Sequence, residues 1–402
     1  MTRIKTIAIL FIATILLSVT SPVVSFGTGD QVVVRQQDNG IVIQDAGEIV
    51  IGGMFDLSGQ TSRLCQSYVQ GIEAAIKKIN GAGGVSGAPL KLMARDYAGD
   101  PDRVVPLYEE LLKKHKVSVI QGWGAMDTAL LAPLTAKDHI VYMSTWCRPD
   151  LADPQKSPYL FFISATFEDH ARMAMKYAAE KGAQRVCFIY PDLPFGRRPA
   201  EAGKAYAIQE GLTVGPDVIV GLRATQTVED LEQVQAFDPE VVWLGGTAPS
   251  VAATLKDAAR LDLHAMFVVN AWGMAGGLTR MIGENEQKRL LGLSVVRPTF
   301  SGDHDMDPGI GLDKDLSHKL LFDQGWAAMM VLREGLQRAR QLGGTDGRKL
   351  RAALESLHNF ETNGLTPPLT FSADDHRGTV SCGLYAIKDG VAELHSNLTL
   401  DR

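Results

Sequence analysis

Residues 49–55 read IVIGGMF, and this uninterrupted apolar run sets the pattern that the rest of the chain follows. Such a run is typical of a strand that is buried on both faces of a parallel sheet. A helix is predicted over 68–80, because its apolar residues recur along one stripe. The glycine-rich stretch at 80–87 ends that helix, and a second strand follows at 90–97. The chain therefore opens with a strand–helix–strand unit, which predicts a parallel sheet covered by helices.

The same unit repeats in two successive series. The first series ends with a strand at 140–145, and the second runs from 160 to 296. Helices over 316–340 and 347–358 follow, and three short strand-like pieces complete the chain, at 368–372, 382–388 and 391–396. The pattern predicts an α/β protein with two Rossmann-like halves, each a parallel sheet flanked by helices. Ligands of such sheets bind beyond the carboxyl ends of the strands, so functional residues are expected in strand-to-helix turns.

The N-terminal residues 1–25 have the pattern of a secretory signal peptide. Arg3 and Lys5 precede an apolar run over 7–19, and small residues near Ser25 suit a cleavage site. This run is shorter than the ~20 residues that a membrane-spanning helix needs. The alternative to a cleaved signal peptide is an uncleaved membrane anchor. No cysteine precedes Cys65, which excludes a lipid-modified cysteine at the N-terminus. We expect an exported, soluble protein without a lipid anchor.

Residues 26–47 form an N-terminal extension before the first predicted strand of the main fold. Asp38-Asn39-Gly40 stands between two β-branched runs there, which predicts a hairpin. A disordered leader is the alternative.

The composition of the 402-residue chain excludes several functional classes. There are 40 Lys and Arg against 46 Asp and Glu, and no basic block, which argues against binding to nucleic acid. Motifs for a phosphate loop, a dinucleotide site, a hydrolase serine and a zinc protease are missing, so we predict neither an enzyme nor a cofactor. The acidic stretch at 303–307 lacks the glycine and the twelfth-position acid of a calcium loop, so no metal site is predicted.

Several motifs, in their order along the chain, resemble periplasmic leucine/isoleucine/valine-binding proteins, the type I solute receptors of ABC transporters. They include IVIGGMFDLSG (49–59), VSVIQGWGAMDT (117–128), IYPDLPFG (189–196) and VVWLGGTAP (241–249), and the most specific is INGAGGVSG (79–87) followed by RDYAGDP (95–101). The resemblance covers residues 48–400 and implies two lobes joined by three hinge crossings. It places the crossings near 164–167, 295–299 and 368–373. Lobe 1 would then comprise 48–165 and 298–368, and lobe 2 would comprise 166–297 and 369–402.

The function that this resemblance implies is that of a periplasmic substrate-binding protein for an ABC importer. Its ligands would be amino acids or related small carboxylate or aromatic compounds, held between two closing lobes. Its partner would be the permease in the inner membrane, and the receptor would be a monomer. A ligand-sensing module of the same fold, working with a signalling partner, is the alternative.

The family's ligand-binding positions lie in turns after strands and can be carried over one by one. They fall on Trp123, Gly124, Ala125, Trp146, Cys147, Arg148, Phe195, Thr247 and Trp272. The tryptophans would supply stacking faces for an apolar ligand, with simple packing as the alternative. Arg148 stands where the family has a hydroxyl and could clamp a carboxylate through two parallel hydrogen bonds, with an ordinary surface charge as the alternative.

The resemblance also shows what this chain lacks. The acid that holds the ligand's amino group in the family falls at 270–272, which read Asn-Ala-Trp. We therefore predict an aromatic or aliphatic carboxylate, or a related uncharged amide, instead of a zwitterionic amino acid. Asp192 and Glu168 are the acids that could replace the lost one.

The cysteines divide into two kinds by their predicted positions. Cys65 and Cys147 map to lobe 1 loops that face the cleft, and whether they pair stays open. Cys187 lies inside an apolar strand and is predicted to be a core thiol.

Overall fold

The computed structural model describes residues 23–25, 31–37, 40–45 and 47–402, the last range without 146, 275–276, 298–315 and 389–390. Most of the predicted signal peptide, the acidic stretch at 303–307 and Trp146 therefore lie outside the described residues. Within the described part, no helix combines the length and apolar character needed to cross a membrane.

The first sheet has five parallel strands in the described chain, in the order β5-β4-β6-β7-β8. The strands are β4 (Ile49–Phe55), β5 (Leu90–Asp96), β6 (Val119–Gln121), β7 (Val141–Met143) and β8 (Leu160–Phe161). Helices α1 (Ser62–Gly81), α2 (Pro101–His115), α3 (Ala125–Asp138) and the short α4 (Pro149–Ala152) connect them. The strand order reverses between β4 and β6, which is where a ligand crevice is expected in a parallel sheet.

The second sheet has seven strands in the described chain, in the order β10-β9-β11-β12-β13-β14-β15. Parallel strands are β9 (Arg185–Tyr190), β10 (Thr213–Ile219), β11 (Val241–Leu244), β12 (Met266–Asn270) and β13 (Leu290–Ser294). Antiparallel strands β14 (Ser381–Lys388) and β15 (Val391–Thr399) extend one edge. The connecting helices are α5 (Phe167–Glu180), α6 (Pro194–Gln209), α7 (Val228–Phe237), α8 (Ala248–Arg260), α9 (Ala271–Met274), α10 (Leu278–Met281) and α11 (Glu284–Gln287).

Alternating side chains of the second sheet supply two separate cores. Val186 and Phe188 belong to one buried cluster, while Cys187 and Ile189, the residues next to them, belong to another. Successive side chains of a strand point to opposite faces, so a strand that is apolar throughout must be covered by helices on both sides. Cys187 is fully buried, which confirms that it is a core thiol, and burial raises its pKa to about 12.

Two further helices, α12 (Leu316–Gln341) and α13 (Gly347–Glu355), pack on the first sheet. Helix α12 crosses α1 at two glycines: a Cβ on Gly71 would overlap the carbonyl oxygen of Phe322, and one on Gly325 would overlap that of Tyr68. Only glycine permits backbones to approach this closely. The crossing fixes the first half of α12 against the middle of α1.

The buried clusters also mark where the chain moves between the two halves. Ile163 belongs to the buried core of the first sheet, and Ala165, two residues later, belongs to a core of the second sheet. After β13 the chain returns to the first core by Phe322, and after Phe371 it enters the second core again at Val380. The predicted strand at 368–372 is wrong: Leu369 and Ser372 form only isolated bridges, to Phe360 and Asp375.

The N-terminal extension has the hairpin that its sequence predicts. Strands β2 (Gln31–Gln37) and β3 (Gly40–Asp45) pair in antiparallel fashion, with Gln37 opposite Gly40. A short strand, β1 (Val23–Ser25), pairs with β2 and completes a separate three-stranded sheet.

Candidate functional site

A cavity that is partly open to solvent lies where the two halves meet. Its walls come from the start of α1, the turn after β7, the first crossing segment with α5, the ends of β12 and β13, and helix α12. The described residues that line it are Leu64, Thr145, Cys147, Ser164, Ala165, Phe167, His170, Ala271, Trp272, Ser294, Val295, Val296, Leu320, Leu321 and Gln324. None of these lining residues is a lysine, arginine, aspartate or glutamate, so the cavity surface is apolar with a few hydroxyl, amide and imidazole groups.

His170 reaches this cavity because of where α5 begins. Thr166 caps the helix by accepting a hydrogen bond from the Asp169 N–H at 3.0 Å, and residues three apart, such as Phe167 and His170, then share one helix face. The imidazole is 3% exposed, and neither ring nitrogen has a hydrogen-bond partner among the described residues. Burial lowers the pKa of His170 to about 4, against the opposing effect of the Asp169 carboxylate. The ring is therefore neutral at pH 7.

Two tryptophans from different halves pack together at the site: Trp272 is part of the cavity wall, and Trp123 lies behind it. The ring centroids of Trp123, after β6, and Trp272, after β12, are 6.4 Å apart. Trp123 is buried against Tyr68 at 5.7 Å, and its indole N–H donates to the Thr61 hydroxyl at 2.9 Å. Trp272 lines the cavity itself.

A buried carboxylate holds the turn that carries Trp123 and Gly124. Asp127 accepts hydrogen bonds from the N–H groups of Trp123 at 3.2 Å and Gly124 at 2.7 Å. The hydroxyls of Tyr97, at 3.0 Å, and Tyr142 also donate to it. Burial raises the pKa of Asp127 to about 6, although all four donors act to lower it. Asp127 is a positioning residue that the family's ligand-binding positions did not predict. The sequence does contain a local signal for it, because an acid three residues after the helix cap at Gly124 is typical of a capping box.

Arg148 has an internal partner in place of the open guanidinium fork that the sequence led us to expect. Its Nε donates to Asp150 at 3.0 Å, and its terminal nitrogen bonds the other oxygen of the same carboxylate. Asp150 is also approached by Arg198 of α6 at 3.4 Å, so this ion network joins the two halves. The sequence missed the pairing because it depends on the short helix α4, which begins at Pro149.

Neither acid that could replace the family's missing carboxylate lines the cavity. Glu168 is buried and pairs with Arg198 at 3.2 Å, and burial raises its pKa. Asp192 is exposed and pairs with Arg197.

The remaining expected site residues lie outside the cavity lining. Gly124 and Ala125 form the cap and first residue of α3, and Phe195 lies half-buried at the start of α6. The hydroxyl of Thr247 donates to the carbonyl oxygen of Leu222 at 2.8 Å. Of the nine residues, Cys147 and Trp272 line the described cavity, and Trp123 packs against Trp272.

The sequence left open whether Cys65 and Cys147 pair, and in the structure both are free and buried. Burial raises the pKa of both thiols, which suppresses the reactive thiolate.

We expect all four cysteines to resist a thiol reagent in the native protein, and all four to react after unfolding without reductant. Counting titrated thiols in guanidinium chloride checks this, and a count of two would show a disulfide.

Comparison with known proteins adds to this geometry. A family model described as "periplasmic binding protein" matches residues 48–391. The chain belongs to the periplasmic binding protein family. Among curated members, the amino acid binding protein of Pseudomonas aeruginosa is 23% identical over 234 residues, 55% of this chain and 60% of that relative. The Leu/Ile/Val-binding protein of Escherichia coli K12 is 22% identical over 267 residues, 65% of this chain and 69% of that relative.

Solved structures of the family share the fold over most of the chain. An ABC transporter substrate-binding protein of Aeropyrum pernix is 25% identical, with a TM-score of 0.74, covering 88% of this chain and 96% of its own. The structure of a branched-chain amino acid ABC transporter from Thermus thermophilus with bound valine is 19% identical, with a TM-score of 0.77. The match covers 88% of this chain and 97% of that one. A fatty acid ABC transporter substrate-binding protein of Thermomonospora curvata is 16% identical, with a TM-score of 0.72 and coverages of 88% and 92%. These likenesses confirm the predicted α/β fold of the type I periplasmic binding proteins.

The described cavity also contains residues that the carry-over missed. They include Leu64, Thr145, Phe167, His170 and Gln324. These residues come from α1, α5, α12 and the turn after β7, so their convergence depends on tertiary structure. One local feature could have predicted Phe167 and His170 as site residues: α5 begins at 167, where the predicted crossing at 164–167 ends.

Proposed function

We propose that the chain is the periplasmic substrate-binding protein of an ABC importer, and that its cavity binds a small carboxylate with an apolar body. The observation that carries this proposal is the lining itself. Trp272, Phe167 and Leu321 offer apolar surface, while hydroxyl and amide groups offer a few hydrogen bonds. Sites for small molecules typically combine these two features. Two solved structures of the same fold are described with valine and with a fatty acid, and both of these compounds are carboxylates with apolar chains.

The lining favours an acid over an amino acid. A buried ammonium group is costly unless a carboxylate or several acceptors meet it. The described lining has no carboxylate, and two acids close to it are paired with arginines: Asp150 with Arg148, and Glu168 with Arg198. A ligand without an amino group avoids this cost.

Binding is proposed to close two lobes around the ligand, with lobe 1 formed by 48–165 and 298–368 and lobe 2 by 166–297 and 369–402. Walls from both halves contact the same cavity, so a ligand there stabilises the closed arrangement over an open one. We further propose export by the signal at 1–25, a periplasmic monomer, and delivery of the ligand to a permease in the inner membrane.

Calorimetric titration tests the ligand class. We expect phenylacetate, benzoate, hexanoate or octanoate to bind, and leucine and valine to bind at least 10-fold more weakly or not at all. Trp272→Ala should weaken the binding of the best acid by roughly 10-fold or more, because truncating a buried aromatic anchor costs ~2 kcal/mol.

Leu394→Ala is the matched control for this truncation, because Leu394 is an exposed apolar residue on β15. It should bind the acid like the wild type. Sub-micromolar binding of leucine or valine without any response to the acids would overturn the proposed ligand class.

A further inference from the structure

His170 is the one residue of the described cavity lining whose side chain can become a cation near neutral pH. Both of its ring nitrogens are buried and have no hydrogen-bond partner among the described residues. An unpaired buried polar group is costly, and such groups in native proteins call for a specific explanation. Since His170 is a residue of the cavity lining, we take a polar group of the ligand as the partner of its ring.

A positive charge would stabilise a carboxylate in this cavity, and three arginines near it already hold carboxylates. Arg148 is paired with Asp150, and Arg198 with Glu168 at 3.2 Å. Arg377 donates to Asp169 at 3.0 Å and to Asp375 at 3.1 Å. Drawing any of these guanidinium groups to a ligand would leave a buried or half-buried acid without its partner.

We propose that His170 supplies the countercharge by taking up one proton from solvent when the ligand carboxylate binds. The inference rests on the proposed function of the cavity. The lone pair of the neutral ring accepts the proton, both nitrogens then carry hydrogen, and one N–H donates to the carboxylate. This N–H bond is the only covalent bond that forms, and the buffer loses one proton for each ligand bound.

The charges around the ring are consistent with this coupling. On its own helix, Asp169 favours the imidazolium, but burial outweighs it and keeps the ring neutral in the empty cavity. Cys147, from the turn after β7, lines the same cavity, and burial keeps its thiol protonated. The lining residues of α1, α12 and the ends of β12 and β13 carry no charge. A carboxylate at hydrogen-bond distance therefore adds the interaction that raises the pKa of His170 above its value of about 4.

This coupling fixes how affinity depends on pH. Between the pKa of His170 in the empty protein and its higher pKa in the complex, the complex binds more protons than the free protein. Affinity then rises as pH falls, by up to tenfold for each pH unit. Working above about pH 5 keeps an aliphatic or aromatic acid ionised, since carboxyl groups titrate near 4.

The test is calorimetric titration of the tightest-binding acid into the wild-type protein at about pH 6, in two buffers of different ionisation enthalpy. We expect the difference in heat to show uptake approaching one proton, and the dissociation constant to rise between about pH 5.5 and 7.5. His170→Gln keeps a hydrogen-bonding side chain that cannot be charged. It should bind more weakly, with no proton uptake and a flat pH profile. His264→Gln, at an exposed histidine, should keep the wild-type uptake and slope.

The failures of the two proposals are distinct. If an acid binds the wild type without proton uptake, the inference about His170 is overturned while the proposed ligand class stands. The same holds if His170→Gln retains the wild-type slope. If no acid binds at any pH, both proposals fail. Should His170→Gln not fold, the two-buffer measurement on the wild type decides the question by itself.

Discussion

Replacing Gly71 by alanine is expected to lower the free energy of unfolding by about 2–3 kcal/mol, the upper part of the range for overpacked sites. Gly71 lies on α1 where α12 crosses it, and an added Cβ would overlap the carbonyl oxygen of Phe322. The obstacle is backbone, so no side-chain rotation relieves it and the helices must separate. The intrinsic helix preference of alanine over glycine, up to ~1 kcal/mol, offsets only part of the cost.

Gly81 provides a matched control, since it ends the same helix and has no atom within 4 Å of an added Cβ. Gly81→Ala should be neutral or slightly stabilising in urea denaturation. Equal stability of the two alanine variants would contradict the close crossing of α1 and α12. Because α12 carries Leu320, Leu321 and Gln324 into the cavity, Gly71→Ala should also weaken ligand binding.

The second large effect is expected at Asp127, where alanine should cost about 3–4 kcal/mol of stability. The substitution removes the acceptor of two backbone N–H groups and two tyrosine hydroxyls at the turn after β6. Each donor left unpaired in the interior costs ~1–3 kcal/mol, partly recovered by relaxation or entering water. Chemical denaturation of the variant measures the loss, and a change below ~1 kcal/mol would contradict the role of this carboxylate.

Asp127 should also make stability depend on pH, with a sign opposite to that of most carboxylates. Burial raises its pKa in the folded protein to about 6, above the value of ~3.9 in an unfolded chain. The folded state then holds the proton more tightly, so this stabilising contribution is complete below about pH 4 and is lost as the pH rises through 6. A shift of about two pH units corresponds to ~3 kcal/mol.

Asp127→Asn isolates this contribution, because it cannot titrate. The stability advantage of the wild type over Asp127→Asn should shrink by up to ~3 kcal/mol between about pH 4 and 7. Asp374→Asn, at an exposed position, should follow the wild-type profile. A constant difference between wild type and Asp127→Asn across this range would show that folding does not raise the pKa of Asp127.

Regular secondary structure could be predicted from the sequence because its signals are local. The strand at 49–55 has the bounds that its apolar run predicts, since both of its faces are buried and no polar residue interrupts it. The start of α1 at Ser62 was missed, because the polar residues before Tyr68 obscure the apolar stripe. At 368–372 the residues look like a strand, yet Phe371 is buried in the first core and the backbone finds only single bridges.

The candidate site was harder to predict because its properties depend on contacts between distant segments. Family positions led to Cys147 and Trp272, which lie in turns after strands. They could not lead to His170, which lines the same cavity as residues about 150 positions away along the chain, such as Leu320 of α12. Arg148 failed as an open clamp for a different reason: its partner, Asp150, is only two residues away, but the short helix that presents it has no periodic signal.

The pair formed by Trp123 and Trp272 gives this protein its own optical reporter. The two indoles come from opposite halves of the molecule, and their ring centroids are 6.4 Å apart. At that separation their excited states interact, and the interaction weakens steeply as the rings move apart. Any motion that opens the cavity therefore changes the emission and the near-ultraviolet circular dichroism of the pair. Trp243, buried within the second sheet, supplies a constant background signal. The proposed opening and closing can thus be followed on the unlabelled chain, with light alone.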